Sequence, residues 1–203
     1  ARYRKGEHLA GKGGFLPGLR ALDEDYCEAM RPLGSMKGSL LDIGTGLGIQ
    51  AIRYAQLGFD VTATDVSQTA IDMAREHASA AGMGLHTPRF MVDNILISKL
   101  EGPFDVVTDR GCYTLLARWM RKGYCDRVHR LLSPDGRFLL KTDAKAGGAM
   151  RSLGTHFRIL RSLDTRYFGD TADVPKALFF VLAPIGRRKR SRQGSRRAVA
   201  IPR

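Results

Sequence analysis

Short apolar segments of strand length alternate with amphipathic segments along the middle of the chain. In the amphipathic segments the apolar residues recur every three or four positions, which is the spacing of one helix face. This alternation predicts a parallel sheet with helices packed on both of its faces. The predicted strands are Ser39–Gly44, Val61–Thr64, Arg89–Val92, Phe104–Thr108 and Arg137–Lys141, and the predicted helices are Gln50–Leu57, Ser67–Ala81 and a long or broken helix over Cys112–Leu132.

The later part of the chain departs from this alternation. Phe157–Leu163 and Ala177–Leu182 are two apolar segments without a clear helical pattern between them, so we expect them to form a hairpin. The sequence Ser-Pro-Asp-Gly at Ser133–Gly136 is expected to form a turn that leads into the fifth strand. The predicted fold class is therefore α/β: a Rossmann-like, doubly wound, mostly parallel seven-stranded sheet with an antiparallel edge strand.

The flanking segments differ in composition from this central region. Residues 1–38 begin with a Gly- and Lys-rich stretch and continue into a helix predicted after Pro17, and we expect this arm and helix to cover the functional site. Residues 39–185 form the predicted main domain. Residues 186–203 carry eight basic and no acidic residues, so they account for most of the net charge of +13. We expect this basic tail to be disordered.

Composition narrows the class of protein further. A chain of 203 residues suits one domain with a substantial core. The three cysteines form no Cys-x-x-Cys pair and the five histidines are scattered, so we expect neither a disulfide framework nor a metal site. No apolar segment is long enough to span a bilayer, so no membrane association is expected. The expected location is the reducing cytoplasm.

The most specific motif is Asp-Ile-Gly-Thr-Gly-Leu-Gly at the end of the first predicted strand. Glycines at Gly44, Gly46 and Gly48 let the backbone turn tightly and approach a ligand closely. Their spacing, Gly-x-Gly-x-Gly, differs from the Gly-x-Gly-x-x-Gly of loops that bind a pyrophosphate. The carboxylate of Asp42 would repel a pyrophosphate but not an ammonium group. An ordinary strand-to-helix turn is the alternative interpretation of this motif.

Further acidic residues stand at the ends of the next strands. Asp65 closes the second strand roughly 20 residues beyond the glycine motif, where a carboxylate accepts hydrogen bonds from the ribose of an adenosine ligand. A helix cap is the alternative interpretation of Asp65, and its distance from the glycine motif favours the ligand role. Asp93 and Asn94 follow the third strand and would suit an adenine ring, although Asp-Asn is also a common turn. Asp109 follows the fourth strand. Because ligands of doubly wound sheets bind outside the carboxyl ends of the strands, this convergence favours a ligand site.

Together these motifs resemble the class I S-adenosylmethionine (SAM)-dependent methyltransferases over residues 39–184. The resemblance implies SAM as the cofactor. It further implies that the glycine motif and its acidic residue hold the methionine part, that the acid after the second strand holds the ribose, and that the acid after the third strand holds the adenine. The implied cofactor-binding residues are Asp42, Gly44, Thr45, Gly46, Gly48, Asp65, Val66, Asp93, Asn94 and Asp109.

The sequence Asp109-Arg110-Gly111 after the fourth strand narrows the resemblance. It is similar to the loop of thiopurine and tellurite-resistance methyltransferases, which methylate small soft nucleophiles. The single tryptophan, Trp119, departs from the thiopurine-type pattern of tryptophans in the N-terminal arm. Methyl transfer from a sulfonium relies mainly on alignment and proximity. Arg110 is predicted to contact an anionic acceptor and Tyr113 to line the pocket, with a surface salt bridge and core packing as the respective alternatives.

Three other functions compete with a SAM-dependent methyltransferase that acts on a small molecule through an S, O or N nucleophile. A nicotinamide-dependent oxidoreductase is disfavoured by the glycine spacing. An RNA or other nucleic-acid methyltransferase would use the basic tail on phosphates. The tail lacks aromatic residues for base stacking, however, and the fourth-strand exit lacks an Asn-Pro-Pro-Tyr-type loop. The third is a binding protein that has lost turnover. The oligomeric state has no signature in the sequence.

Overall fold

The strands and helices of the chain were located in a computed structural model, which describes residues 26, 28–29, 38–143, 149–167 and 176–186. The strands are β1 (Ser39–Ile43), β2 (Asp60–Asp65), β3 (Arg89–Val92), β4 (Phe104–Arg110), β5 (Leu132–Asp143), β6 (Phe157–Arg166) and β7 (Lys176–Pro184). The helices are α1 (Ile49–Gln56), α2 (Gln68–Ala80), α3 (Cys112–Leu115), α4 (Arg121–Leu131) and α5 (Ala149–Gly154), with single 3-10 turns at Gly84–His86 and Arg118–Met120.

The strands form one seven-stranded sheet in the order β3-β2-β1-β4-β5-β7-β6. Strands β1 to β5 pair in parallel, whereas β7 is antiparallel to both β5 and β6. The predicted fold class, a mostly parallel sheet with an antiparallel hairpin at its edge, is confirmed. Within the hairpin, β7 lies one position inside the sheet and β6 forms the edge.

The centre of the sheet is formed by the most continuously apolar strand. In β1, Leu40, Leu41 and Ile43 are all buried, as expected for a parallel strand covered on both faces. One hydrophobic cluster packs α1, α2 and the helical residues around Tyr26 on one face, and a second packs α3, α4 and α5 on the other. The strand order reverses between β1 and β4, and at such a point a doubly wound sheet opens a crevice for ligands.

Helix α2 follows its sequence prediction closely. The side chain of Ser67 accepts a hydrogen bond from the backbone N–H of Ala70 (3.3 Å) and so caps the first turn. The buried positions Ala70, Ile71, Ala74 and Ala78 recur at helical spacing and lie against the sheet. The cap and the apolar stripe together explain why the chain turns helical immediately after β2.

The predicted Ser133–Gly136 turn lies inside β5, which is a correction to the sequence analysis. The pairing with β4 passes from Phe104 opposite Leu132 to Val106 opposite Arg137. Strand β4 therefore advances by two residues while β5 advances by five, so the turn-forming sequence is accommodated as an irregularity of the strand. The predicted long helix between β4 and β5 is broken into α3, a 3-10 turn and α4.

The described residues include only part of the flanking segments. Tyr26, Glu28 and Ala29 are helical, in agreement with the helix predicted after Pro17, and Tyr26 is fully buried. The remainder of the predicted arm, together with the basic tail from residue 187 onward, lies outside the described residues. Among the helices that the structure describes, none is long and apolar enough to cross a membrane.

Candidate cofactor and acceptor site

A cavity of about 890 Å³ lies at the carboxyl ends of the parallel strands. Its lining includes five residues that the sequence analysis selected, namely Gly44, Asp65, Val66, Asp93 and Arg110. These residues come from the ends of four different strands, which lie side by side in the sheet. A cavity of this volume at the point where the strand order reverses is typical of a small-molecule or cofactor site.

The glycine loop after β1 is shaped by its neighbours as well as by its own conformation. Gly44 has a φ of +70°, in the left-handed region, and a Cβ at this position would lie 2.8 Å from the Cβ of Cys112. The loop is anchored by the backbone N–H of Thr45, which donates to the Thr64 carbonyl (2.9 Å). Cys112 belongs to α3, so the loop and the segment after β4 are packed directly against each other.

Asp65 connects this loop to the cavity. Its carboxylate accepts a hydrogen bond from the backbone N–H of Gly46 (3.0 Å) and another from that of Ser67 (2.9 Å). The side chain is almost fully buried and still forms part of the cavity lining. A carboxylate has about four lone-pair directions, so Asp65 retains acceptor capacity for a ligand hydroxyl. Next to it, Val66 is exposed on the cavity rim.

Among the predicted cofactor-binding residues, three buried oxygens have no hydrogen-bond partner within the part of the chain that the structure describes: Asp42 Oδ2, Thr45 Oγ1 and Asp93 Oδ2. The other oxygen of Asp42 accepts from the Thr108 hydroxyl (2.8 Å). Burial raises the pKa of Asp42, and the nearby hydroxyls of Thr45 and Thr108 counteract part of that rise. The Thr45 hydroxyl is close to Asp42 but is not oriented to form a hydrogen bond with it. Unpaired buried acceptors are costly, so they favour a ligand that donates hydrogen bonds at this position.

These acceptors fit the cofactor that the sequence resemblance implies. An ammonium group and an exocyclic amino group are hydrogen-bond donors, whereas a pyrophosphate offers only acceptors. The donors are therefore expected near the unpaired oxygens of Asp42 and Asp93. Gly44 lines the cavity, where its lack of a side chain leaves its backbone accessible from the cavity side. The residues present thus suit an amino-acid and adenosine ligand better than a dinucleotide.

Several predicted residues are absent from the cavity lining: Asp42, Thr45, Gly46 and Gly48 of the glycine motif, and also Asn94 and Tyr113. The Asn94 side chain accepts a hydrogen bond from the backbone N–H of Leu96 (3.1 Å), which is the local turn given as the alternative. Tyr113 is fully buried and packs edge-on against Tyr124, with ring centroids 5.4 Å apart. The prediction that Tyr113 lines the pocket is therefore corrected, because its ring fills the core beneath α3.

Asp109 is also placed differently from its prediction as a cofactor ligand. It is fully buried, and both of its carboxylate oxygens accept hydrogen bonds from protein groups: the backbone N–H groups of Cys112 (2.7 Å) and Tyr113 (2.9 Å) and the hydroxyl of Tyr124. Burial raises its pKa to about 7, against the lowering effect of these three hydrogen bonds. The structure therefore gives Asp109 contacts with α3 and α4 and no place on the cavity lining.

The part of the cavity formed by β4, β5 and β6 contains residues that the sequence analysis did not select. Tyr167 and Asp143 line it together with Arg110. The Arg110 guanidinium carbon lies 5.5 Å from the centroid of the Tyr167 ring, and Lys141 Nζ lies 5.8 Å from it. The Tyr167 hydroxyl donates to the Lys141 carbonyl (3.2 Å), which fixes the ring. This acceptor half of the cavity thus has the Arg110 cation and an aromatic ring on its lining, while the Lys141 cation is buried near the same ring and is not part of the lining.

Cysteine and histidine chemistry is not supported at this site. Cys112 lines the cavity, but burial and the neighbouring carboxylates raise the pKa of its thiol, so it remains protonated at neutral pH. His77 lies behind the glycine loop, with its Nδ1 2.9 Å from the Leu47 carbonyl. Within the described ranges, no three His, Cys, Asp or Glu side chains are arranged to hold a metal ion.

Comparison with known proteins agrees with this geometry. Residues 40–136 match the family described as "Methyltransferase domain". A mitochondrial ubiquinone biosynthesis O-methyltransferase of Schizosaccharomyces pombe is 34% identical over 104 residues, which are 51% of this chain and 37% of that protein. A release factor glutamine methyltransferase of Deinococcus radiodurans is 35% identical over 79 residues, 38% of this chain and 27% of that protein. The chain thus matches less than half the length of these relatives.

A solved structure shares the fold. Magnesium protoporphyrin IX methyltransferase from Synechocystis PCC 6803, crystallised with bound SAH (S-adenosylhomocysteine, the demethylated form of SAM), superposes with a TM-score of 0.68 at 18% identity. The superposition covers 79% of this chain and 80% of that one. The family match, the strand order and the glycine loop at the switch point agree with one another. Over residues 40–136 the chain is similar to the methyltransferase-domain family, and its fold is shared with this SAH-bound methyltransferase.

Proposed function

We propose that the chain binds SAM in the cavity and transfers its methyl group to a small-molecule acceptor. The observation that carries this proposal is the group of unpaired buried oxygens on Asp42, Thr45 and Asp93 beside the glycine loop. The relative named for ubiquinone biosynthesis and the neighbour named for magnesium protoporphyrin IX support a small-molecule acceptor. The relative named for release factor glutamine has a protein acceptor, so acceptor class needs a direct test.

The cavity divides into two halves with different chemistry. On the side of β1, β2 and β3, Asp42 and Thr45 would hold the methionine part of SAM, Asp65 the ribose and Asp93 the adenine amino group. When bound, SAM supplies a methyl group on a positively charged sulfur that is already activated for in-line displacement. The protein's contribution is then to align the acceptor and to exclude water.

The acceptor half favours a molecule with negative charge. Arg110 and the buried Lys141 both lie within 6 Å of the Tyr167 ring, so an anionic group or a nucleophile that develops negative charge would be stabilised there. Asp143 lines the same half and offers a carboxyl group that could receive the proton of an acceptor that binds un-ionised. This arrangement suits thiols, phenols and carboxylate-bearing molecules.

Replacing Asp65 with Ala should weaken SAM binding. The variant loses the hydrogen bond that a ligand hydroxyl would donate to the charged carboxylate, which is worth about 1.5–3 kcal/mol, and the Gly46 amide loses its acceptor as well. We expect affinity to fall roughly 10- to 150-fold in isothermal titration calorimetry. The matched control is Asp60→Ala, an exposed carboxylate at the other end of the same strand. Equal affinities for the two variants would contradict the assigned role.

Replacing Arg110 with Ala should affect the acceptor more than the cofactor. We expect kcat/KM for an anionic acceptor to fall by roughly 10-fold or more, the value of one charged hydrogen bond, while SAM affinity is retained. The control is Arg158→Ala, which removes an exposed arginine at the start of the edge strand β6, at the other end of that strand from Tyr167. Loss of SAM affinity in Arg110→Ala, or unchanged turnover, would show that Arg110 does not contact the acceptor.

The proposed activity is tested by an acceptor screen with SAM labelled on its methyl group. The panel should include aryl thiols, phenols, aromatic carboxylates, N-heterocycles, a glutamine-containing peptide and RNA. Transfer of label to a member of the first three classes is the expected result. Label found only on the peptide or RNA would overturn the small-molecule assignment, and SAM binding without any transfer would favour the binding-protein alternative.

The basic tail distinguishes the small-molecule function from a nucleic-acid function. Truncation after Gly186 removes eight positive charges, which would attract a polyanion most strongly at low salt. For a small acceptor we expect the truncated protein to keep its Tm and its turnover within about twofold, because Arg187–Arg197 contains no apolar residue with which to bury surface in the fold. A large loss of RNA or DNA methylation at low salt would instead support the nucleic-acid alternative.

A further inference from the structure

The buried carboxyl group of Asp109 holds together three parts of the fold. Its side chain accepts hydrogen bonds from the Cys112 and Tyr113 amides at the start of α3 and from the Tyr124 hydroxyl in α4. Its backbone carbonyl accepts a hydrogen bond from the hydroxyl of Tyr26, which lies in the N-terminal helix (2.8 Å). The end of β4 is thereby connected to α3, to α4 and to the N-terminal helical segment.

The segment fixed by these bonds forms much of the cavity wall. Arg110, Gly111, Cys112, Thr114 and Leu115 all line the cavity. Helix α3 has only four residues and follows a glycine with a φ of +101°, so its own backbone bonds cannot hold it in place. The two amide bonds to Asp109 supply that restraint, as a capping side chain does at a helix start.

The same segment also contacts the cofactor side of the cavity. The side chain of Cys112 fills the space that a Cβ on Gly44 would occupy, so displacement of α3 would leave the glycine loop without its neighbour. Arg110 precedes α3 on the acceptor side. Asp109 therefore fixes the residues that contact both halves of the cavity, although Asp109 itself is not on the cavity lining.

We propose that Asp109 is a positioning residue, whose carboxylate holds the segment from Arg110 to Leu115 in the arrangement that binds cofactor and acceptor. This inference rests on the proposed function for the identity of the ligands. It replaces the prediction that Asp109 binds the cofactor directly. The carboxylate accepts hydrogen bonds from two backbone amides and one hydroxyl. A protonated carboxyl group would carry an O–H on one of its oxygens, so protonation would weaken the hydrogen bonds that hold α3 in place.

Several titratable and charged groups surround Asp109. Burial is the main cause that raises its pKa to about 7, and Asp42 on β1 raises it further. The Tyr124 hydroxyl and the amides of Cys112 and Tyr113 lower it. The pKa of the Cys112 thiol and those of the Tyr26 and Tyr124 hydroxyls are themselves raised by burial, and Arg110 follows in the chain. The protonation of Asp109 is therefore expected to change near neutral pH.

The first part of the test needs no ligand. In nitrogen-15-labelled full-length protein, the amide resonances of Cys112 and Tyr113 should titrate together with a midpoint near pH 7. The hydrogen bond from the Tyr124 hydroxyl lowers the pKa of Asp109. Its removal in Tyr124→Phe should therefore move that midpoint to higher pH. Asp109→Asn should abolish the shared titration. Amide resonances that are unaffected by pH between 6 and 8 would overturn the proposal.

The second part measures SAH affinity of the wild-type protein and the two variants by calorimetry at several pH values from about 6 to 8. If SAH binds only when Asp109 is ionised, the affinity of the wild type should be about tenfold lower at pH 6 than at pH 8. In Tyr124→Phe the midpoint of this change should lie at higher pH. If Tyr124 had only a structural role, Tyr124→Phe would change the Tm and leave the pH midpoint of SAH binding unchanged. That result would overturn the proposal. Absence of SAH binding at every pH value would refute the proposed function instead, and the amide titration would still decide the role of Asp109.

Discussion

Between about pH 4 and pH 7, the free energy of unfolding should fall by about 3 kcal/mol more for the wild-type protein than for Asp109→Asn. Burial raises the pKa of Asp109 from its ordinary 3.8 to about 7 in the native state. In this interval the native protein holds a proton that the unfolded chain has released. The stabilisation is fully present below pH 3.8 and is lost as the pH rises through 7.

Urea unfolding at several pH values measures this difference directly. Asp60→Asn is the matched control, since it removes an exposed carboxylate from β2. Some pH dependence should remain in Asp109→Asn, because the pKa of the buried Asp42 is also raised. Parallel stability curves for wild type and Asp109→Asn would contradict the account. The expected result would mean that an ionised Asp109 lowers stability above pH 7, as is common for residues retained for function.

Replacing Gly48 with Ala should destabilise the fold by about 2–5 kcal/mol. Gly48 has a φ of +75°, and a Cβ there would lie 2.7 Å from the Ala74 Cβ and 2.9 Å from the Phe90 ring. The cost combines left-handed backbone strain with overpacking of a buried contact between the glycine loop, α2 and β3. A drop in the urea midpoint at unchanged slope is the expected measurement.

Gly82→Ala separates the two causes of this effect. Gly82 has a similar φ of +64°, but nothing lies within 4 Å of a Cβ built on it. The variant should therefore lose only about 1–2 kcal/mol, which is the cost of the left-handed conformation. Equal losses in Gly48→Ala and Gly82→Ala would show that the packing of the glycine loop against α2 contributes nothing.

The sheet and the cofactor half of the cavity were predictable because their signals are local. The buried residues of β1 form a nearly continuous apolar segment, and the glycine motif directly follows it. Asp65 ends the next strand, so its place at the same edge of the sheet follows from parallel pairing alone. These residues need only the strand order to bring them together.

The other half could not be predicted because distant segments form it. Tyr167 at the end of β6 meets Arg110 and Asp143 only through the pairing of β4, β5, β7 and β6, which no short motif encodes. The burial of Tyr113 is likewise set by Tyr124 from another helix. Asp109 stands at the end of a strand, and this position suggested that it binds a ligand. In the folded protein, however, its carboxylate accepts its hydrogen bonds from protein groups that tertiary packing brings close to it.

Binding of an amino-acid and adenosine cofactor in the cavity can be measured by titrating SAM, SAH and NAD into the full-length protein in a calorimeter at about pH 8, where Asp109 is expected to be ionised. We expect saturable binding of SAM and SAH at one site per chain and no saturable binding of NAD. Saturable NAD binding, or the absence of SAM and SAH binding by the folded protein, would contradict this expectation.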